Sequence, residues 1–185
     1  DILVSLGLDE IITYSMMNRM DETILKLKKN IDFENFVPLK NPLSKERSHL
    51  RLSLLPGALL TAKTNLKYID KLSTFEVGSV FYPHSKNKLP DEPQHISFLM
   101  SGLRDKRTWL DKNDVNYNFF DLKGLLESFF DSLNISGIEW IKSRDLPCHP
   151  GRSVKIIVNK KILGFAGELH PKIRKYFELP EKPVC

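Results

Sequence analysis

The sequence predicts an α+β domain, and three observations carry that expectation. Segments with the two-residue alternation of strands recur and adjoin one another across turns and loops. Two long segments instead carry the apolar stripe of a helix. The strand–helix–strand alternation of a doubly wound parallel sheet is missing. With 185 residues, 41% hydrophobic and 10% aromatic, the chain can bury one sizeable core or two small ones.

The elements follow in order. Leu3, Val4 and Leu6 read as the tail of a helix that stops at Gly7. Glu10 to Met17 is rich in β-branched and aromatic residues and reads as a strand. Residues 18–34 are polar, with Asp21 a candidate cap for a short helix. Val37 to Ser44 holds Pro38 and Pro42, which remove backbone donors and keep their neighbours extended, so it reads as a shaped connection, with room for a short strand before it. Leu55, Leu59, Ala62, Leu66 and Ile69 form one helical stripe, with Pro56 in the first turn and Ser53 a candidate cap. Thr74 to Phe81 alternates, Phe75, Val77 and Phe81 facing one way and Glu76 and Gly78 the other. A loop over 83–94 should join it to a second alternating strand, His95 to Ser101, its antiparallel neighbour. Residues 103–118 are charged, with Trp109 a lone anchor.

The clearest helix runs through Leu122, Leu125, Leu126, Phe129, Phe130 and Leu133, with Asn118 or Asp121 as its cap. Ile138 to Ile141 reads as a short strand after Gly137. Val154–Val158 and Ile162–Leu169 should form a hairpin about Asn159, Lys160 and Lys161. Pro171 opens a last short helix to about Phe177.

Composition narrows the class. Two cysteines, Cys148 and Cys185, make no disulfide framework and fit a reducing cytoplasm. No apolar run approaches the roughly 20 residues that cross a bilayer. The net charge of +5 permits nucleic-acid contact without arguing for it, since a solvated lysine-rich surface gives the same balance. Asp1 to Val4 reads as the middle of a chain, so residues 1–185 are expected to be one domain excised from a longer chain at both ends.

Catalytic patterns are missing. There is no phosphate-cradling Gly-rich loop, and Gly164 and Gly167 fall inside a strand pattern, where close packing or a bulge explains them. The five histidines make no metal-ligand pair. Cys148 and His149 point apart in an extended chain, and His149-Pro150 and His170-Pro171 read as turns at strand ends. The acid pairs Asp9-Glu10 and Asp91-Glu92 read as solvated surface. So do the basic clusters at 26–29, 104–107 and 172–175, and no exposed aromatics interleave with arginine to suggest a single-strand stacking platform. Catalytic, cofactor and metal residues are therefore expected to be none.

Five blocks, in order, then carry a resemblance. Gly7-Leu-Asp-Glu-Ile-Ile-Thr-Tyr-Ser15 is followed by Asn41-Pro-Leu-Ser-Lys-Glu-Arg-Ser-His-Leu-Arg-Leu-Ser-Leu-Leu-Pro-Gly57. Asn65 and Phe75-Glu-Val-Gly-Ser-Val-Phe81 come next, then Phe119-Phe-Asp-Leu-Lys-Gly124. His149-Pro-Gly-Arg-Ser153 and Gly164-Phe-Ala-Gly-Glu-Leu-His-Pro171 complete the set. Together they resemble the synthetase-like core of bacterial phenylalanyl-tRNA synthetase β subunits, departing at Val154, where the family usually has Ala.

The resemblance implies a class II aminoacyl-tRNA synthetase-like antiparallel sheet flanked by helices, a copy that has lost its active site. A working class II site holds the ATP α-phosphate with an arginine of the second signature strand. Tyr82 and Pro83 stand there, and Arg51 alone makes no site. The implied role is structural. The chain would support the catalytic α subunit in an (αβ)₂ heterotetramer that charges tRNA(Phe) in the cytoplasm, with ATP and Mg bound elsewhere in the holoenzyme. Ile2, Leu3, Leu6 and Ile12 are candidates for the α-subunit interface, with core packing the alternative for some of them. Two rival readings are an RNA-binding module contacting tRNA and an ATP-dependent ligase domain with its own site.

Overall fold

The computed structural model describes residues 2–25, 36–84, 89–105, 114–145 and 147–179. Trp109, Cys185 and the basic cluster at 26–29 lie outside them. The N-terminal helix α1 (Ile2–Ser5) stops at Gly7, whose φ of 84° is a left-handed value that suits glycine. The expected strand over Glu10–Met17 divides into β1 (Asp9–Glu10) and β2 (Met16–Met17). The interruption has a cause: Thr13 turns its N–H and hydroxyl to the Glu76 carboxylate instead of to a neighbouring strand.

Helix α2 (Arg19–Leu25) is capped by Asn18, which accepts from the Met20 N–H, so Asp21 lies in its first turn rather than at its cap. A 3₁₀ turn (Lys45–Arg47) leads into β3 (His49–Leu50), which pairs with β2. Helix α3 (Leu55–Asn65) has Pro56 in its first turn as expected; its N-cap is Leu54 rather than Ser53, whose hydroxyl accepts from the Leu55 N–H, and it ends before Leu66 and Ile69 of the expected stripe. Strands β4 (Lys71–Ser79) and β5 (Gln94–Gly102) form the expected antiparallel pair.

Helix α4 (Phe119–Ser132) uses both candidate caps at once. Asn118 accepts from the Phe120 N–H, and Asp121 accepts from the Asn118 N–H. The second sheet is β6 (Ile138–Lys142), β7 (Cys148–Val158) and β8 (Lys161–Leu169). His149 and Pro150 are the second and third residues of β7, at the strand's start as expected but within the strand rather than in a turn, where the register shifts between Cys148 and Ser153. Helix α5 (Pro171–Tyr176) is capped by His170, which accepts from the Lys172 N–H.

The sheets are ordered β1-β4-β5 and β6-β7-β8, with β2-β3 a separate ribbon. Pairings are antiparallel except β1 with β4, which are parallel. Helices flank the first sheet. Leu72 and Leu99 pack with Ala58, Leu59 and Ala62 of α3 and with Ile173 and Phe177. On the other face Phe75 packs with Leu3 and Leu8 near Leu125 and Phe129, while Met100 joins Leu122, Leu126 and Phe130 of α4. The same α4 residues pack on Val154, Ile156 and Ala166, so α4 bridges the two sheets. Glu76 shares its face with Leu72 and is buried, whereas Val77 is 52% exposed. The expected alternation holds, and both faces of β4 are covered here, since Phe75 and Glu76 are both buried.

Strands β7 and β8 turn through Asn159 and Lys160, both left-handed, with φ of 49° and 62°. Asparagine tolerates that conformation; lysine does not favour it. Replacing Lys160 by glycine is expected to stabilise the chain by about 1 kcal/mol, seen as a higher denaturant midpoint with an unchanged slope.

Candidate functional site

Among the described residues the buried charged side chains are Glu22, Arg51 and Glu76, and all three meet at the start of α3. Arg51 lies just ahead of that helix, and Glu76 projects from β4 beneath it. The Arg51 Nη1 donates to Glu76 Oε1 at 2.7 Å and to Thr13 Oγ1 at 3.1 Å, and Nε donates to the Ser79 carbonyl at 2.9 Å. The Thr13 hydroxyl donates in turn to Glu76 Oε2 at 2.8 Å. Main-chain bonds lock the same residue: Arg51 N–H to the Ser15 carbonyl and Phe81 N–H to the Arg51 carbonyl, each 2.9 Å. One arginine thus ties the segment after β1, the start of α3 and the end of β4.

Two glycines make room for it. A Cβ on Gly78 would stand 2.4 Å from Arg51 Nη2, and one on Gly57 would stand 2.3 Å from Thr13 Oγ1. The motif blocks that hold Thr13, Arg51, Gly57, Glu76 and Gly78 are separate in sequence and adjacent in space. The sequence places Glu76 on the face opposite Phe75 and Thr13 within a strand, but neither position carries a local pattern that marks a buried partner.

Glu22 on α2 is 1% exposed. Its Oε1 accepts the Leu52 and Ser53 N–H groups at 2.9 and 3.1 Å. Burial pushes its carboxyl up to about 7, against the pull of those two amides; Asp21 adds to the rise and Arg51 opposes it. Burial, then the nearby Glu22, raises the Tyr82 hydroxyl.

The other motif blocks meet across β7 and β8. Arg152 pairs with Glu168 at 2.6 Å, and the Ser153 hydroxyl donates to the Ser143 carbonyl at 2.9 Å. A Cβ on Gly167 would stand 2.6 Å from Ser153 Cβ, so this glycine serves close strand packing. The His149 and His170 rings stack at 6.5 Å. Burial pushes the Cys148 thiol up to about 12, far from a reactive thiolate.

The chemistry open to the network is limited. The Nε and Nη1 of Arg51 are committed to Ser79, Thr13 and Glu76, and the side chain is 5% exposed. With Tyr82 close by, these residues do not fit a phosphate clamp. Among the described residues, no group of three histidine, cysteine or acidic side chains is placed to hold a metal ion. A cleft of about 400 Å³ beside the start of β4 is lined by Gly7, Asp9, Asp70 and Lys71, and no network residue lines it. Of the candidate interface residues, Leu3 fills the core beneath α1 and Leu6 packs against it, whereas Ile2 and Ile12 are exposed, Ile12 by 92%.

Two outcomes follow from this geometry. Arg51→Ala leaves Glu76 buried without its cation and is expected to cost about 3–5 kcal/mol, with Arg51→Ala/Glu76→Ala recovering part of the loss in a denaturation double-mutant cycle. The second concerns pH. A carboxyl whose folded value lies above its unfolded one binds more protons when folded. Its stabilising contribution is full below the ordinary value of 4.5 and is lost as pH rises through about 7. The span is on the order of 3 kcal/mol. Glu22→Gln should remove that slope and melt above the wild type at pH 8. Subtracting the two melting profiles cancels His49 and His170, whose lowered values act with the opposite sign.

Comparison with known proteins agrees with the motif blocks. The family model for the phenylalanyl tRNA synthetase beta chain CLM domain matches residues 1–185. The chain is 33% identical over 184 residues to the phenylalanine–tRNA ligase beta subunit of Syntrophus aciditrophicus, covering 98% of this chain and 23% of that one. Against the same subunit of Carboxydothermus hydrogenoformans it is 37% identical over 186 residues, covering 100% and 23%. Against that of Bacillus subtilis it is 35% identical over 181 residues, covering 96% and 22%. The chain thus spans about a quarter of the length of these relatives. In structure it is similar to the pyrrolysyl-tRNA synthetase of Desulfitobacterium hafniense, with a TM-score of 0.71 at 12% identity, covering 99% of this chain and 62% of the other. That likeness establishes a class II synthetase fold.

Proposed function

The chain belongs to the phenylalanyl-tRNA synthetase beta chain CLM domain family, and from that membership we propose that it is a non-catalytic, structural domain supporting a catalytic α subunit in tRNA(Phe) aminoacylation. One observation carries this reading above the rest. The arginine that the motif blocks retain, Arg51, is consumed within the fold by Glu76, Thr13 and Ser79. In the resemblance that the motif blocks carry, Tyr82 stands where a working class II strand would have its phosphate-binding arginine. In this reading Arg51 and its partners serve the packing of α3 on β4.

In this reading ATP and Mg are bound by the α subunit, the assembly is an (αβ)₂ heterotetramer in the cytoplasm, and tRNA(Phe) is engaged by the holoenzyme. Among the described residues no helix is long and apolar enough to cross a membrane. The contact with α runs along α1 and the segment after β1. Exposed Ile2 and Ile12 contribute surface there, while Leu3 and Leu6 hold α1 in place.

The test has two arms. In size-exclusion chromatography with light scattering, the intact β subunit should elute with α as a defined complex. Ile2→Asp/Ile12→Asp should shift it toward free subunits while its melting temperature stays unchanged. In the second arm, titration of the chain with ATP should give no saturable binding at millimolar nucleotide. Co-elution unaffected by the double variant removes the proposed contact, and a saturable ATP site removes the non-catalytic reading.

A further inference from the structure

Three helices of this chain begin with the same local device. The Asn18 side-chain oxygen accepts from the Met20 N–H at 2.9 Å, and that of Asn118 accepts from the Phe120 N–H at 2.8 Å. At α5 the acceptor is the His170 Nδ1, which takes the Lys172 N–H at 3.1 Å. Asn Oδ1 and His Nδ1 stand at the same distance along their side chains, so the geometry is shared. The chemistry is not. An amide oxygen keeps its lone pairs at any physiological pH, whereas an imidazole nitrogen takes up a proton close to neutrality.

A second histidine repeats the arrangement. His149 Nδ1 accepts from the Gly151 N–H at 3.1 Å, and in both places the residue between is a proline, which has no N–H to compete. Both rings are thereby held as the tautomer with its proton on Nε2, and in that form neither offers a nitrogen lone pair to a metal. The rings stack at 6.5 Å with 29° between their planes. Lys172 follows on α5, Arg152 of β7 pairs with Glu168 of β8, and burial keeps the adjoining Cys148 thiol uncharged. Burial, then Lys172, then His149 push the His170 imidazole below its ordinary value of 6.5.

A proton added at Nδ1 turns an acceptor into a donor that faces another donor, and the main-chain bond is lost. We propose that the stacked His149–His170 pair is an acid-sensitive latch on α5: as the pH falls from neutral into the mildly acid range, protonation of His170 removes the cap and α5 loosens from α3. A charge on both rings also ends their stack and parts β7 from the start of α5. What the latch holds is substantial. Ile173 and Phe177, each 1% exposed, fill the apolar cluster beneath α3. The Tyr176 hydroxyl donates to Asp21 of α2, and Glu178 pairs with Lys63 of α3. Because His170 takes its proton more readily in the unfolded chain, the latch is closed above the ordinary value of 6.5 and opens progressively below it. The asparagine caps of α2 and α4 do not respond. The latch does not depend on the α-subunit contact.

The experiment follows amide hydrogen exchange, peptide by peptide, in the intact subunit purified with its α partner. The pH is lowered from about 7.5 to about 5.5, and each rate is corrected for the intrinsic pH dependence of exchange. Amides of α5 are expected to exchange about tenfold faster at the lower pH, while those of α4, capped by Asn118, keep their protection. His170→Asn retains the acceptor and removes the titration, so its α5 should stay protected at both pH values. His170→Ala has no acceptor and should exchange fast at both. His149→Asn keeps its own main-chain bond but cannot become charged, so it should move the midpoint of α5 loosening to higher pH. Each variant is compared with the wild type at the same pH, which cancels every other titrating group. Protection of α5 that does not change with pH, or an undiminished acid response in His170→Asn, overturns the proposal. A midpoint unmoved in His149→Asn overturns the part given to the pair.

Discussion

The buried Arg51–Glu76 ion pair is the constraint on which the first half of this fold depends, because three remote segments can satisfy it only together. Glu76 faces the underside of α3 among Leu72 and Leu99, where an unpaired carboxylate would be costly. Arg51 removes that cost only if it approaches from the start of α3, and it can do so only past Gly78, which has no Cβ to block it. Thr13 supplies the remaining hydrogen bonds, and it reaches them past Gly57, which likewise has none. Taking two charges out of water offsets much of their attraction. The larger consequence is selection among packings. A shift of α3 along β4 would leave two charges and several amides unsatisfied, whereas an all-apolar contact would tolerate it. The broken strand after β1 follows from the same demand, since the Thr13 N–H serves Glu76 rather than a ladder.

The second half is held by a different device. Helix α4 lays Leu122, Leu126 and Phe130 across both Met100 of the first sheet and Val154, Ile156 and Ala166 of the second. Its capping box fixes where it starts, so the stripe arrives in register with both sheets. Glu22 joins the two kinds of support. It sits on α2, whose Leu25 packs in the apolar cluster, and it holds the first free amides ahead of α3. Among the described residues no lysine or arginine forms an ion pair with it; burial dominates and its proton affinity rises. The network therefore contains one fully compensated carboxylate and one that titrates near neutrality, a few residues apart in space.

What was legible in the sequence divides along the same line. Periodicity reports apolar burial, so α3, α4, the β4–β5 pair and the β7–β8 hairpin could be placed from spacing alone. The motif blocks pointed further, to a class II synthetase fold. The polar network stayed hidden because nothing local distinguishes a buried Glu76 from a solvated one. Its partner is 25 positions away and the deciding space comes from missing Cβ atoms. The division of the first strand was hidden for the same reason: Ile11 and Ile12 have strand propensity, and a tertiary hydrogen bond overrode it. Asp21 lost the cap to Asn18 by three positions, a margin within which several polar residues compete for the same amides.

These features also bear on what Arg51 does within a synthetase fold. An active-site arginine must keep donors free and its surroundings open to an anion, which leaves a charge partly uncompensated until substrate arrives. Arg51 is in the opposite condition. Glu76, Thr13 and Ser79 satisfy it permanently, and close glycine contacts exclude any larger group. Held in this way, the same residues anchor the surface around them. The rigid backbone of residues 13–15 is a product of the network, and it fixes both the exposed Ile12 and the exposed Tyr14 on either side of Thr13. The network thus gives its surroundings the property a docking surface needs most, side chains whose positions are set before a partner arrives.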